Sequence, residues 1–421
     1  MAFQQGLSGL DASASQLNTI GNNIANASTV GFKSSNTQFS DIFASAFNSS
    51  SSTAIGIGTQ VSRVSQSFTQ GNIQSTGNPL DMAINGQGFF RMNNNGNISF
   101  TRNGQFQLDK NGYLVDSNGN QLTGYPATST GTIIAATPTP IQIPTANLAP
   151  TPTNQGTIGV NLDSSSTVPT TTPFNPNDPT TFNNSTSMTV YDSLGNSHIA
   201  TLYFALKPSP AASWNTYLTV DGTSVPAVVP PAAPTPIGTL GFNSSGTLTS
   251  PAAAPPLQLG QIAVSLPLTN GATTPQSITL GFATSTQYGS PFGVNQLSQN
   301  GYASGQLSGF TTSPTGIIQG NYSNGQSKNL GQVALANFAD PQGLQSLGNN
   351  QWQESFNSGS ALVGAPGSGN LGAIQSGAVE GSNVNLTSEL VDMITAQRNY
   401  QANAQTIKTE DQLTQTLVNL R

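Results

Sequence analysis

The feature that most restricts how this chain folds is an apolar stripe at helical spacing at each end, with a long middle that lacks one. At the start, Phe3, Leu7, Leu10, Ala14, Leu17 and Ile24 recur at intervals of three and four, with Gly21 at the missing position. That spacing puts them on one face of a helix. The helix is expected to reach about Ala27 and stop before Gly31, a length of roughly 35 to 40 Å at the α-helical rise. At the other end Leu386, Leu390, Met393, Tyr400, Ala404 and Ile407 form a second stripe, and Leu413, Leu417 and Leu420 continue it after a phase shift resembling a coiled-coil stutter. Asn383 or Asn385 is placed to cap this helix, and Glu389 falls in its first turn, where a carboxylate favours the free N–H groups. On pattern alone, two amphipathic helices lying on a globular core fit as well; their position at opposite ends and their narrow stripes favour pairing with each other.

The middle changes period. Residues 84–125 alternate short strand-like runs with Asn-Gly pairs at 95–96, 103–104, 111–112 and 118–119, and Asn-Gly adopts the positive φ angles of tight hairpins. A β-meander is expected there. Residues 126–180 are rich in Pro, Thr and Ala and read as an extended passage into a further domain, in which strand patterns resume around 187–206, 214–222 and 238–250. A second turn-rich β stretch, 302–338, precedes the C-terminal helix and repeats the style of 84–125, so the two can form one domain split by the insertion between them. The fold class is therefore mainly β with a coiled-coil-like helical terminal domain. The expected division is an N-terminal helix (1–30), a connecting extended segment (31–83), a middle β domain in two parts (84–147 and 299–370), an outer β domain (148–298), and a C-terminal segment with its helix (371–421).

Charge excludes several functions. Ten Lys and Arg and 16 Asp and Glu give a net charge of -6, and charged residues make up 6% of the chain against roughly 25% in ordinary soluble proteins. Without a basic cluster there is no electrostatic footprint for nucleic acid or an anionic membrane. Between Ser117 and Ser327 the charged side chains are Asp163, Asp178, Asp192, Lys207 and Asp221, so this region depends on Ser, Thr, Asn and Gln for solubility. With no Cys, disulfides and thiolate metal sites are ruled out. The opening residues have neither a basic n-region nor an apolar h-region, and export without a cleaved signal peptide is expected.

Catalysis finds few residues to work with. A Ser/His/Asp arrangement would have to use His198, the single histidine, with Asp192, Ser193 and Ser197 nearby. Triads are set by geometry rather than by local sequence, and a turn with hydrogen-bonding side chains explains YDSLGNSHI better. Asp116-x-Asn118-x-Asn120 opens like a calcium loop, but its glycine comes too early and Ala127 stands where the acidic twelfth ligand belongs, so a β-turn is expected. No enzyme activity, cofactor or metal is expected.

Residues 8–43, SGLDASASQLNTIGNNIANASTVGFKSSNTQFSDIF, resemble the N-terminal signature of the flagellar rod and hook family. Residues 75–90 and 378–420 resemble the family's second shared block and its C-terminal block. The large central insertion, with IPTANLAP and YDSLGNSH inside it and GYASGQLSGF and GIIQGNYSNGQ after it, resembles the hook branch more than the shorter rod branch. The resemblance implies an inner core of both terminal helices and outer β domains, polymerised into a curved tube that carries motor torque as a universal joint. It also implies distal rod, hook cap and hook-filament junction proteins as partners, export by the flagellar type III apparatus, and an extracellular place at the basal body and hook. The self-assembly interface is then expected on Phe3, Leu7, Leu10, Leu17, Ile24, Leu386, Leu390, Met393, Tyr400, Ile407, Leu413 and Leu417. The competing readings are a distal rod protein, a secreted β-rich adhesin or fibre, and an esterase built around His198.

Overall fold

A computed structural model describes residues 2–42, 56–210, 212–227, 232–253 and 256–419, with side chains for all of these except residues 2 and 417–419. Helix α1 (Ala2–Ala25) and helix α2 (Leu386–Asn419) lie at the two ends, and between them the chain is almost entirely β. The helices pack on one another, as the terminal stripes lead one to expect.

Helix α1 ends two residues sooner than its pattern suggests. The chain turns through Asn26, whose N–H donates to the carbonyls of Asn22 and Asn23, and then through Gly31 at φ +71°. A side chain at Gly31 would meet the backbone of Asn103, so the turn requires glycine both for its conformation and for its close approach. Helix α2 runs unbroken through the phase shift and is about 51 Å long at the α-helical rise. Of the two possible caps the structure uses Asn385, whose Oδ1 accepts from the N–H groups of Thr387 and Ser388. Asn383 serves a different purpose: its Oδ1 accepts from Ser34 N–H at 2.7 Å and its Nδ2 donates to Ser67 O at 2.8 Å.

The segment expected as an extended connection, 31–83, contains an antiparallel ladder of β1 (Ser35–Ile42) and β2 (Gly58–Gln66). The ladder is fastened to α1 by Thr19 Oγ1 against Thr37 Oγ1 at 2.8 Å and by Asn23, which both donates to Ser35 O and accepts from Ser35 N–H. Two further strands follow, β3 (Ile73–Ser75) and β4 (Met82–Asn85), and they pair with Ala378–Glu380 and Ala373–Ser376 just ahead of α2.

The chain forms two compact units. Unit 1 comprises Met1–Thr145, Ser308–Asn321 and Ser327–Arg421. Its large sheet draws on both sides of the insertion: strand Gln121–Pro126 pairs with Ser327–Val333, β5 (Phe89–Asn94) pairs with Leu335–Asn337, and β6 (Asn97–Thr101) pairs with Gln351–Gln353. Phe68, Phe89, Phe100, Phe338 and Trp352 meet edge to face in its core. Of the four Asn-Gly pairs, Asn95-Gly96 makes the tight β5–β6 hairpin, with φ of +50° and +96°, and Gly112 and Gly119 also take positive φ in turns. Asn103-Gly104 does not turn the chain in this way. Gly104 lies against the Met82 carbonyl with no room for a side chain and accepts a 2.9 Å bond from Met82 N–H. Asp116 forms a turn by accepting from the N–H groups of Asn118 and Asn120.

Unit 2 comprises Ala146–Leu307 and Tyr322–Gln326. A four-stranded and a six-stranded sheet share one core, in which Ile158, Leu202, Phe204, Trp214, Leu240 and Phe282 have no exposed surface. The unit runs past residue 298. Strand Gly293–Gln299 lies antiparallel to Gln155–Asn161, and bridges at Leu148–Gly305 and Thr151–Tyr302 hold the entering and leaving chain side by side.

Candidate self-assembly surface

Helix α1 meets α2 through its smallest side chains. An added Cβ at Gly6 would stand 3.0 Å from Ile407 Cγ1, and one at Gly9 would stand 2.7 Å from Asn403 Nδ2. Absent side chains at i and i+3 let the helices approach closely, as at other small-residue crossings. On α2 the inward face is Glu389, Met393, Ala396, Asn403 and Ile407; Ala396 is fully buried, and Glu389 Oε1 accepts from Asn23 Nδ2 at 2.9 Å. The Glu389 carboxyl is held above the usual carboxylate range, mainly by burial, with the bond from Asn23 opposing the shift.

The apolar stripes read from sequence therefore make only part of this seam. Leu10, Leu17, Ile24, Met393 and Ile407 are half-buried. Phe3 (51% exposed), Leu7, Leu386, Leu390 (51%), Tyr400 and Leu413 (55%) face outward, joined by Val391 and Ile394 on α2 and by Phe39, Val61 and Val64 on the ladder beside α1. The side chain of Leu417 lies outside the described residues. Among the described residues nothing lies near a side chain placed at Gly21, so they do not explain the gap in its stripe. These outward side chains leave apolar surface of the helical pair in contact with water in the single chain.

Where α1 leaves and α2 begins, three charges are buried together. Lys33 Nζ stands 2.6 Å from Glu380 Oε1, and Arg102 donates from a terminal guanidinium nitrogen to Glu380 Oε2 at 3.0 Å; none of the three side chains is more than 4% exposed. Lys33 also donates to Thr69 O, Arg102 to Gly86 O, and Gly71 N–H to Glu380 Oε1. Burial pushes the Lys33 ammonium below its ordinary value against the pull of Glu380, and burial lowers Arg102 in the same way. Arg102 lies over the Phe89 ring at 5.3 Å. Removing one partner from such a set leaves a buried charge uncompensated, so the cluster fixes how the ends of both helices join the β core. Sequence reasoning missed it. Lys33 and Glu380 each stand in a family-like block, but nothing in a single sequence links positions 347 residues apart.

The turn expected in YDSLGNSHI is present: Asp192 Oδ1 accepts from Leu194 and Asn196 N–H. The ring itself does more, since its two nitrogens face two different carboxylates, those of Asp221 and Asp192. Among the described residues no group of His, Cys, Asp or Glu is arranged to hold a metal ion, and no helix is long and apolar enough to cross a membrane.

A paired N- and C-terminal helix with β units spliced between is the architecture that the resemblance to flagellar rod and hook subunits implies. Family models agree along the chain: the flagella basal body rod protein model matches 3–33, the flagellar hook protein FlgE/F/G D1 domain 83–161, the flagellar basal body protein FlaE D2 domain 161–302, and the flagellar basal body rod FlgEFG protein C-terminal model 375–420. The chain is 44% identical to the flagellar hook protein FlgE of Escherichia coli (strain K12) and to that of Salmonella typhimurium, over 100% of this chain and of each relative. It is 34% identical to the Rhizobium meliloti flagellar hook protein FlgE over 100% of this chain and 98% of that one. The crystal structure of Helicobacter pylori flagellar hook protein FlgE2 matches with a TM-score of 0.50 at 15% identity, covering 73% of this chain and 100% of that one, a likeness of fold. This chain belongs to the flagellar hook protein family, and a structural hook subunit is favoured over a distal rod or adhesin.

Proposed function

We propose that the subunit polymerises with copies of itself into a curved tube that passes motor torque while bending. The outward apolar residues of the helical pair, Phe3, Leu7, Leu386, Leu390, Tyr400 and Leu413, carry this reading, because a lone subunit leaves them in water. The half-buried Leu10, Leu17, Ile24, Met393 and Ile407, together with Leu417, complete the interface. The three-level arrangement belongs to the same proposal: an inner core of 1–30 and 371–421, a middle domain of 84–147 and 299–370, and an outer domain of 148–298, joined by 31–83. The pairing of Gln121–Pro126 with Ser327–Val333 across the insertion supports it.

Distal rod, hook cap and hook-filament junction proteins meet the ends of the tube. The chain reaches its extracellular site through the flagellar type III apparatus without a cleaved signal peptide, and it acts without a catalytic step. The engagement of both His198 nitrogens with carboxylates supports the last point, since neither is left to activate a hydroxyl. With few charges on the outer β domain, neighbouring copies slide over hydrated polar surfaces as the tube bends. Electron microscopy of purified protein under polymerising conditions tests the reading: wild type forms curved tubes, whereas Leu390→Asp stays monomeric with an unchanged circular dichroism spectrum. Normal tubes from Leu390→Asp would remove this helical face from the assembly.

A further inference from the structure

Unit 2 holds an arrangement that polymerisation does not explain. His198, at the start of strand Ser197–Leu206, stands with Nδ1 2.6 Å from Asp221 Oδ2 and Nε2 3.3 Å from Asp192 Oδ2. The two carboxylates come from different turns. Asp192 closes the turn between strands Asn184–Tyr191 and Ser197–Leu206, and Asp221, at φ +48°, closes the turn between Ser213–Val220 and Thr223–Val225. Asp192 Oδ2 also accepts from Asn196 Nδ2 at 2.9 Å and from Asn270 Nδ2 at 2.6 Å, and Asn270 lies between two strands of the other sheet of the unit, Gln261–Leu266 and Gln276–Gly281. The imidazole ring thus joins two turns of one sheet and, through Asp192, a loop of the second.

The protonation state follows from valence. An ionised carboxylate only accepts hydrogen bonds, and a neutral imidazole has one N–H and one lone pair. In either neutral tautomer a lone pair would face a carboxylate oxygen; only the imidazolium serves both. The recess beside the ring is lined by Val220, Val225, Leu268 and Asn270 as well as Asp221, so Asp192 and Asp221 are the ionisable groups that face it among the described residues. Burial works against the charged ring, and the bonds and charges of the two aspartates outweigh it, holding His198 above the ordinary 6.5. Burial also opposes ionisation of Asp192 and Asp221, yet their hydrogen bonds hold both below the usual carboxylate range.

We propose that His198 is a proton-operated clamp of unit 2, which as an imidazolium ties the Asp192 and Asp221 turns together and on losing its proton lets them part. The folded-state pKa of the ring is raised, so its stabilisation is complete below the unfolded-chain value of 6.5 and is lost as pH rises through the folded value. The aspartates, whose folded pKa is depressed, add stabilisation that is present above the ordinary 3.8 and is lost as pH falls through their folded values. The clamp is closed between those limits and opens on the alkaline side.

With one histidine in the chain, the full-length protein gives a single set of ring resonances. Nitrogen-detected NMR is expected to show both ring nitrogens protonated at pH 6.5, with a midpoint above that value. Asp221→Asn keeps an oxygen for the Ile199 N–H but removes a charge, and it is expected to bring the midpoint down toward 6.5. Amide protection at Asn196 and Ile199, corrected for intrinsic exchange, is expected to fall about tenfold through the titration for each pH unit by which the midpoint exceeds 6.5. In His198→Gln it should stay flat. A half-titrated or neutral ring at pH 6.5, a midpoint unmoved by Asp221→Asn, or wild-type protection as flat as that of His198→Gln would each overturn the clamp.

Discussion

The β sandwich of unit 2 and the helical pair of unit 1 use apolar side chains in opposite senses. Unit 2 turns Leu202, Phe204, Trp214 and Phe282 fully inward and closes over them. The helical pair sets Gly6 and Gly9 of α1 against Ile407 and Asn403 of α2, buries Ala396, and turns Leu386, Leu390 and Leu413 out. The sandwich is complete as a single chain. If copies of the chain cover the outer face of the helices, as proposed, the same driving force that folds unit 2 is held over for association in the helices. Mutations should separate the two cases: changes in the sandwich act on folding, and changes on the outer helical face act on the polymer.

The largest effects belong to buried groups. Trp214→Ala empties a fully buried site in unit 2 and is expected to lower the stability of that unit by about 3 to 5 kcal/mol, seen in denaturant unfolding followed by tryptophan-independent circular dichroism. Glu380→Gln leaves Lys33 and Arg102 buried without a counter-charge and is expected to cost unit 1 about 3 to 5 kcal/mol. Each variant should spare the other unit. One cooperative transition lowered equally by both substitutions would break the distinction between the units.

Much of this architecture is legible in the sequence, for identifiable reasons. Periodicity reports which residues can share a helix face, so both helices are legible in the sequence, but the stripe from Phe3 to Leu413 does not separate the half-buried Leu10, Leu17 and Ile407 from the outward Phe3, Leu390 and Leu413. Which face meets the partner helix is decided by how closely two backbones approach, and here glycines decide it. In a hydrophobicity pattern Gly6 and Gly9 look like gaps. Asn-Gly chemistry identified the hairpin at Asn95-Gly96 because a tight turn needs positive φ locally. The same dipeptide at 103–104 is there for a close approach to Met82, a tertiary demand with no local signature. The buried Lys33–Glu380–Arg102 cluster and the bridge from His198 to Asp221 depend on chain segments brought together only by the fold.

A smaller effect tests the seam directly. At Gly9→Leu the Cβ alone would press on Asn403, whose side chain can swing aside, but the rest of the leucine would occupy the space that α2 fills. Such overpacking is expected to weaken helix docking by about 1 to 3 kcal/mol. Hydrogen exchange along α2 should rise while amides in unit 2 keep their protection. Unchanged exchange on α2 would mean that the helices do not depend on the small-residue approach.

The smallest effect on the monomer should accompany the clearest effect on the polymer. Leu390 is half exposed on α2 and one turn from the N-cap at Asn385. Leu390→Ala trades one strong helix former for another, so helix propensity barely changes. It removes apolar atoms that already lie partly in water, so the folded monomer should change by no more than about 0.5 kcal/mol, the ordinary range for surface substitutions. In a polymer that covers this face, the same truncation removes burial from every subunit. A fully covered leucine is worth roughly 1.5 to 3 kcal/mol, and a truncation that forfeits about 1.4 kcal/mol per contact raises the critical concentration for assembly about tenfold. Sedimentation of polymer against free subunit measures that concentration, and unfolding of the same sample measures the monomer. If both stayed at wild-type values, the outward stripe would be an uncovered surface in the tube, and the contrast between a self-contained sandwich and an incomplete helical pair would fail at Leu390.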